Sequence, residues 1–230
     1  MNDQDTRQII EALQEDSNLN RATPEALAEL AGNVNRLFFN KGEYVFKTGD
    51  DADRYLLVES GRVVLSRESP SGKVFTFRIA VRGTPLNAVT CFRARTRFFA
   101  ARVAERSAIL AIPCTIFRQW VLDNPDVAAG IISTMGDLLD GAYARISDLI
   151  DESAERRVLN VLSMLSSRIG TSLPLTNADV AELVGTSRET AARIVSRLDD
   201  LGLISKSRGV IRVLEKDRVD ELSSSSFFIL

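Results

Sequence analysis

Arg188, Glu189 and Arg193 are the residues of this chain whose types and spacing suit chemistry on another molecule. An arginine can donate two hydrogen bonds to the edge of guanine, and a carboxylate can accept one from the amino group of cytosine. The spacing puts Arg188 and Glu189 at the start of an expected helix, with Arg193 about one turn further along the same face. Thr186 and Ser187 stand at the helix entrance, and Arg197 follows as a phosphate contact or a solvated residue. Lys206 and Arg208 fall at the tip of an expected hairpin, where they suit phosphate contacts that orient a duplex without reading it. From Arg188 to Arg212 the bases Arg188, Arg193, Arg197, Lys206, Arg208 and Arg212 face only Glu189, Asp199 and Asp200, in a chain of formal net charge −2. The local field, more than the total, governs attraction to phosphate. Glu189 has a second reading, because with Thr186 it fits the spacing of a capping box and would then tie down the helix start.

Other chemistries are thinly supplied. The sequence has no histidine, which removes the commonest general base and the usual zinc and haem ligand. Histidine-ligated haem is excluded, and haem of any kind would need Cys91, a methionine or a terminal group. Cys91 and Cys114 are the only cysteines, too few for a four-cysteine iron–sulfur cluster. A cytosolic pair of this kind is expected to be reduced and buried, with a redox switch as the alternative. No nucleophile–base pair and no metal cluster is visible. Neither catalytic nor metal-binding residues are assigned, no enzyme is expected, and the cofactor is unknown.

The elements that must position the readers can be traced backwards from them. Thr176 caps a short helix with Val180, Ala181 and Val184 inward, Gly185 permits a tight reversal, and a second helix buries Ala191, Ile194, Val195 and Leu198. Two helices joined this way form the module that sets its second helix in the major groove. Leu203-Ile204-Ser205 and Gly209-Val210-Ile211-Arg212-Val213 then make a wing. Upstream, Val158, Leu159, Leu162 and Leu165 share one helical face that ends at Gly170, with Ser153 as a cap and Glu152–Ser153 as a hinge. Before that, Ile132, Met135, Leu139, Ala142, Ile146 and Leu149 keep the rhythm of a helix seam, widened by Ile131 and Leu138. The seam suits a parallel dimer helix, and the alternative is packing on its own domain.

Toward the N-terminus, Asp5 to Leu37 reads as helical, with Thr23-Pro24 supplying a cap and a first-turn proline. From Phe38 short strands take over, broken by Gly42, Gly49, Gly61, Gly72 and Gly83. Tyr55-Leu56-Leu57-Val58 and Arg62-Val63-Val64-Leu65-Ser66 flank an expected turn at Glu59-Ser60-Gly61, and Ser69-Pro70-Ser71-Gly72 signals another. Such spacing suggests an antiparallel barrel or sandwich, ending near Pro113. The fold class is therefore α+β. Residues 1–124 form a sensor domain with N-terminal helices, 125–152 a dimerisation helix and hinge, and 153–230 a winged helix-turn-helix. A composition of 45% hydrophobic and 26% charged residues is ordinary for a soluble protein. No apolar run approaches the roughly 20 residues of a membrane helix, and the acidic start is unlike a secretory signal. The cytoplasm is expected, with no membrane partner. The tail Ser223–Ser226 with Phe227-Phe228-Ile229-Leu230 either docks or frays.

Thr186-Ser187-Arg188-Glu189-Thr190 with Arg193 and Leu201-Gly202-Leu203-Ile204 closely resembles the Crp/Fnr superfamily of bacterial transcription regulators. In the front half, Lys41-Gly42-Glu43, Thr48-Gly49-Asp50-Asp51-Ala52-Asp53 and Gly61-Arg62-Val63 resemble the signature of the cyclic-nucleotide-binding β-roll. The resemblance implies a β-roll (jelly roll), a long dimerisation helix and a winged helix-turn-helix. It implies a homodimer on double-stranded DNA with RNA polymerase as a further partner, and Arg188, Glu189 and Arg193 as base readers. The arginine at position 188 is similar to the cyclic-AMP receptor branch. A palindromic operator with TGTGA-like half-sites follows from that likeness.

The effector region departs from the family pattern. Where the family has a Gly-Glu pair for the ribose, this chain has Asn87-Ala88, and near its Arg-Ser or Arg-Thr pair for the phosphate stands Phe98-Phe99. Cyclic AMP is not expected. Arg93, Arg95 and Arg97 either clamp an anion or form a solvated surface. A small organic ligand, with Phe92, Phe98 and Phe99 as lining, or a redox signal, is the expected control. The competing reading is a β-roll sensor or adaptor acting on protein partners, its helix-turn-helix used for assembly.

Overall fold

The computed structural model describes residues 3–69, 72, 74–86, 89–93 and 96–223, with the side chains of Asp3, Ala144, Arg145, Asp148 and Leu149 outside the described set. The turn residues Pro70 and Ser71 and the tail from Ser224 to Leu230 also lie outside it. Contacts divide the chain into two compact units, residues 1–67 with 77–136, and 68–76 with 137–230.

The first unit opens with α1 (Asp3–Gln14), a 3-10 turn at Leu19–Arg21 and α2 (Pro24–Ala31). Thr23 caps α2, its Oγ1 accepting from the Ala26 amide at 3.2 Å, and Pro24 takes the first helical position where its missing N–H costs nothing. Then come β1 (Asn35–Phe39), β2 (Tyr44–Phe46), β3 (Arg54–Glu68), β4 (Val74–Ala80), the short helix α3 (Thr90–Arg93), β5 (Ala100–Pro113) and α4 (Cys114–Asp123). The sheet runs β1-β5-β3-β4, with β2 also paired to β5.

Two cores lie on the two faces of this sheet. Tyr55 and Leu57 of β3, with Leu110 and Ile112 of β5, pack with the helical residues Ile9, Leu13, Leu27, Leu30, Phe117 and Trp120. Their sequence neighbours Leu56, Val58, Ile109 and Ala111 turn the other way, toward Phe46, Val63, Leu65 and Val103. Successive strand residues alternate faces, so a strand covered on both sides reads as an unbroken apolar run.

Two expectations for this unit are corrected. The helical stretch stops at Ala31, and Asn35–Phe39 become a strand because β5 offers them a ladder from Ala111 to Ser107. The Glu59-Ser60-Gly61 turn does not exist. β3 continues through it, and the register against β5 slips between Val58 and Val63, as in a bulge. Gly61 has φ +86°, and a Cβ there would fall 2.3 Å from Ser107 Oγ. Glycine marks a bend within one strand at this point.

α5 (Pro125–Asp151) is continuous, and the division between the units falls within it. The second unit continues with α6 (Ala154–Ile169), β6 (Ser172–Leu173), α7 (Asn177–Val184), α8 (Arg188–Asp200), β7 (Ile204–Ser207), β8 (Val210–Val213) and α9 (Lys216–Leu222). Ser153 caps α6 by accepting from the Arg156 amide. A three-stranded sheet of order β6-β8-β7 closes the unit. Val158, Leu162, Val180, Ala191, Val195 and Leu198 are all buried, so the expected apolar faces meet as one helical core.

Candidate nucleic-acid interface

The entry to α7 is locked by a reciprocal cap. Thr176 Oγ1 accepts from the Asp179 amide, and the Asp179 carboxylate accepts from the Thr176 amide at 2.6 Å. Gly185 ends α7 in the left-handed region at φ 68°, a conformation that carries little penalty only for glycine. The chain then reverses into α8, whose first cap is Ser187. Its Oγ accepts from the Thr190 amide at 3.1 Å. This corrects the expected Thr186–Glu189 capping box, since the cap lies one residue later and Thr190 occupies the paired position. Thr186 is half-buried in the turn.

With its apolar face buried, α8 presents Arg188, Glu189, Arg193 and Arg197 to solvent. The carboxyl of Glu189 is held below the ordinary carboxylate range, chiefly by its own backbone amide and then by the Ser187 hydroxyl and the charge of Arg188. It stays ionised and able to accept. Ala192 is half-buried between these side chains and the buried face. Arg197 is engaged within the protein, its Nη1 lying 3.1 Å from Glu155 Oε2 on α6. Lys206 and Arg208 are exposed on the wing, where Arg208-Gly209 form the turn between the paired Ser207 and Val210.

Sequence reasoning missed Arg157. From α6 its Nε donates to the Val184 carbonyl at 3.0 Å and its Nη1 to the Glu152 carbonyl at 2.7 Å. It satisfies a carbonyl left open at the end of α7 while holding the start of the α5–α6 junction. Nothing in the spacing of Arg157 announces this role, because both partners are backbone atoms.

The Crp-like helix-turn-helix domain family matches residues 156–222, and the cyclic nucleotide-binding domain family matches residues 36–124. The chain belongs to the Crp/Fnr superfamily. It is a CRP-like transcription regulator with a DNA-binding helix-turn-helix. It is similar to the CRP-like cAMP-activated global transcriptional regulator of Mycobacterium tuberculosis, at 24% identity over 204 residues covering 85% of this chain and 91% of the relative. Among solved structures it is similar to the c-di-GMP responsive global regulator CLP of Xanthomonas campestris, at TM-score 0.73 and 21% identity over 83% of this chain and 99% of that one. FixK2 of Bradyrhizobium japonicum matches with TM-score 0.73 and 16% identity over 84% and 98% of the two chains.

In the effector region of this Crp/Fnr chain, Asn87, Ala88 and Arg95 lie outside the described residues. Phe99 stacks on Phe77 with centroids 4.5 Å apart, and Phe98 meets Phe99 edge-on at 5.0 Å. The Arg67 guanidinium lies 3.6 Å from the Phe98 ring centre. Phe92 does not join them; it packs against Phe117 of α4 at 6.4 Å. Arg93 is exposed, whereas Arg97 is buried, which corrects the solvated-surface alternative at Arg97. Arg97 donates to the Arg54 carbonyl and the Thr90 hydroxyl, and its guanidinium lies 4.5 Å from the Phe46 ring centre. Burial pulls its pKa down, opposed by Asp53 and Asp50.

The cysteines are buried as expected but joined to each other, Cys91 of α3 to Cys114 of α4. On α5, Ile132, Met135, Leu139, Ala142 and Ile146 are exposed, as are Tyr143 and Ile150, which stand outside the heptad rhythm. Leu149 has its side chain outside the described set. Ile131 is buried. Among the described residues no cluster of three or more histidine, cysteine or acidic side chains converges as a metal site, and no helix is long and apolar enough to cross a membrane.

Proposed function

We propose that this regulator acts as a cytoplasmic homodimer on a two-fold symmetric operator with TGTGA-like half-sites, read by Arg188, Glu189 and Arg193. The observation that carries the reading is the outward face of α8, where those side chains stand on one capped helix whose opposite face is fully buried. Lys206 and Arg208 on the wing serve as phosphate contacts, with Thr186, Ser187 and Arg197 flanking the readers. The exposed stripe Ile132, Met135, Leu139 and Ile146 supports pairing of α5 with a second copy, with Ala142 and Leu149 completing the seam. RNA polymerase is the expected partner at the promoter, and no catalytic step is assigned to the chain.

Control comes from the β-roll, through a small ligand or a redox signal other than cyclic AMP. Relatives are named for cyclic AMP or c-di-GMP, but Asn87-Ala88 and Phe98-Phe99 supply neither a ribose acceptor nor a phosphate-clamping arginine. The packing of Phe77, Phe99, Phe98 and Arg67 supports that reading.

Selection of bound duplexes from a randomised library, followed by a salt titration, tests the proposal. Enrichment of a palindrome with TGTGA-like halves is expected, together with binding that weakens steeply with salt. Added cyclic AMP is expected to leave the affinity unchanged. Recovery of unrelated sequences at equal affinity would overturn the reader assignment and favour an adaptor working through protein partners.

A further inference from the structure

Cys91 and Cys114 point beyond operator binding to its control, and any control of operator affinity rests on that binding. We propose that the pair is a thiol–disulfide exchange site whose state is passed through α4 and α5 to alter operator affinity. The bond joins α3 to the first residue of α4, with Cα atoms 4.9 Å apart. A regulator that binds DNA works where glutathione and small dithiol proteins hold thiols reduced. Disulfides that form in that compartment are mostly transient or redox-sensing. A chain of 230 residues with two packed cores needs no staple of the kind that small secreted domains use.

The placement of the bond gives it leverage. Along the sequence, α3 falls between Asn87-Ala88 and Phe98-Phe99, the positions of the altered effector pairs. It also meets α4 through Phe92 on Phe117, and Phe117 stacks on Tyr55 at 4.0 Å. Asn124 alone separates α4 from α5. Val127 and Ile131 of α5 share one core with Cys91, Cys114, Phe117 and Trp120. A shift of α3 against α4 therefore meets the root of the helix that carries the exposed apolar stripe. The reduced form is accommodated too, because the Ala52 carbonyl lies 3.5 Å from Cys114 Sγ and can accept its S–H.

The chemistry balances as a two-electron exchange. A thiolate of a dithiol reductant attacks one sulfur, forming a mixed disulfide and expelling the other cysteine as thiolate. The reductant's second thiol then displaces the first cysteine. After protonation Cys91 and Cys114 are thiols, and the reductant has become a cyclic disulfide. The reverse step uses a disulfide oxidant, which gains the two electrons and two protons. Both cysteines are buried, at 3% and 9% exposure, so α3 must lift before attack and exchange is slower than at an open disulfide.

The test equilibrates the full chain in reduced or oxidised dithiothreitol, counts thiols, and measures operator affinity and amide hydrogen exchange. The two forms are expected to differ about fivefold or more in operator affinity, with altered exchange in α4 and the first turns of α5. The Cys91→Ser/Cys114→Ser variant should match the reduced form and ignore oxidant. Equal affinity and equal α4–α5 exchange in the two wild-type forms, or a double variant that still responds to oxidant, would overturn the switch. A melting temperature that falls on reduction with affinity and exchange unchanged would mean a staple only. If neither form binds DNA yet α4–α5 exchange follows the thiol count, the operator reading fails and the exchange site stands.

Discussion

Arg197 of α8 and Glu155 of α6 form an ion pair with 3.1 Å between Nη1 and Oε2. The last turn of the reading helix is thereby tied to the first turn of the helix that follows the α5–α6 junction. Both side chains retain solvent contact, so the pair contributes at most about 1 kcal/mol to stability. Its larger consequence is to occupy a cation that would otherwise face phosphate. Glu155→Gln is expected to leave the melting temperature nearly unchanged and to raise operator affinity at low salt. The slope of log affinity against log salt should steepen by about 0.9, the value of one added phosphate contact. A salt titration of wild type and variant on one operator checks this.

Arg188→Ala should relax the preference at one base position and cost about 1–3 kcal/mol there. Arg208→Ala should instead weaken all sequences alike and flatten the salt slope. Affinities on a panel of single-base operator variants separate the two outcomes. Uniform weakening by Arg188→Ala would reassign it to phosphate.

Arg157 joins the Val184 and Glu152 carbonyls. Arg157→Ala leaves both acceptors short of a donor, and each charge-assisted bond contributes roughly 1.5–3 kcal/mol. A loss of about 2–4 kcal/mol in denaturant unfolding is expected. Arg157→Lys should recover only part of it, because an ammonium lacks the fork that reaches both carbonyls.

The reading face is legible in the sequence because its signals are local. Arg188, Glu189 and Arg193 follow a capped helix and a glycine, and helical periodicity alone separates them from Ala191, Ile194 and Val195. Arg97 shows where such reading stops. Its neighbours Arg93 and Arg95 suggest a charged loop, but its partners Arg54 and Phe46 lie on distant strands that fold over it. The same holds for Arg197, whose partner stands 42 positions upstream. Gly61 reads as a turn in the sequence, since a glycine at a bulge and one at a hairpin look alike until the β3–β5 register is known.

Asp16 is a buried carboxyl that accepts from Tyr55 Oη and from the Asn18 and Leu19 amides. Burial raises its pKa above the ordinary 3.8, against the lowering effect of those bonds. The folded state thus holds the proton more tightly than the unfolded chain. The resulting stabilisation is full below 3.8 and is lost as pH rises through the raised folded value. Asp16→Asn removes the titration; its single oxygen still accepts from the Asn18 and Leu19 amides, and Tyr55 Oη must then turn its hydrogen away and accept from the carboxamide NH2. Its melting temperature relative to wild type should therefore increase as the pH is raised from about 4 toward neutrality. A difference that stays flat across that range would show that Asp16 does not titrate there.

Ile146 is 54% exposed on α5, in line with Leu139 at 52% and Ile132 at 68%. A row of large apolar side chains facing water on one helix is unusual for a surface that stays uncovered. Ile146→Glu places a charge in the seam without touching either buried core. In an isolated chain the substitution should cost well under 1 kcal/mol, as surface changes generally do. In a dimer it buries a carboxylate against its own copy, and the two like charges repel. Sedimentation is therefore expected to show a shift from dimer to monomer at micromolar concentration, with unchanged far-ultraviolet circular dichroism. Operator affinity should fall by on the order of 100-fold, because each half-site is then bound without the gain from linked binding. A variant that remains dimeric would move the self-association surface off this face of α5.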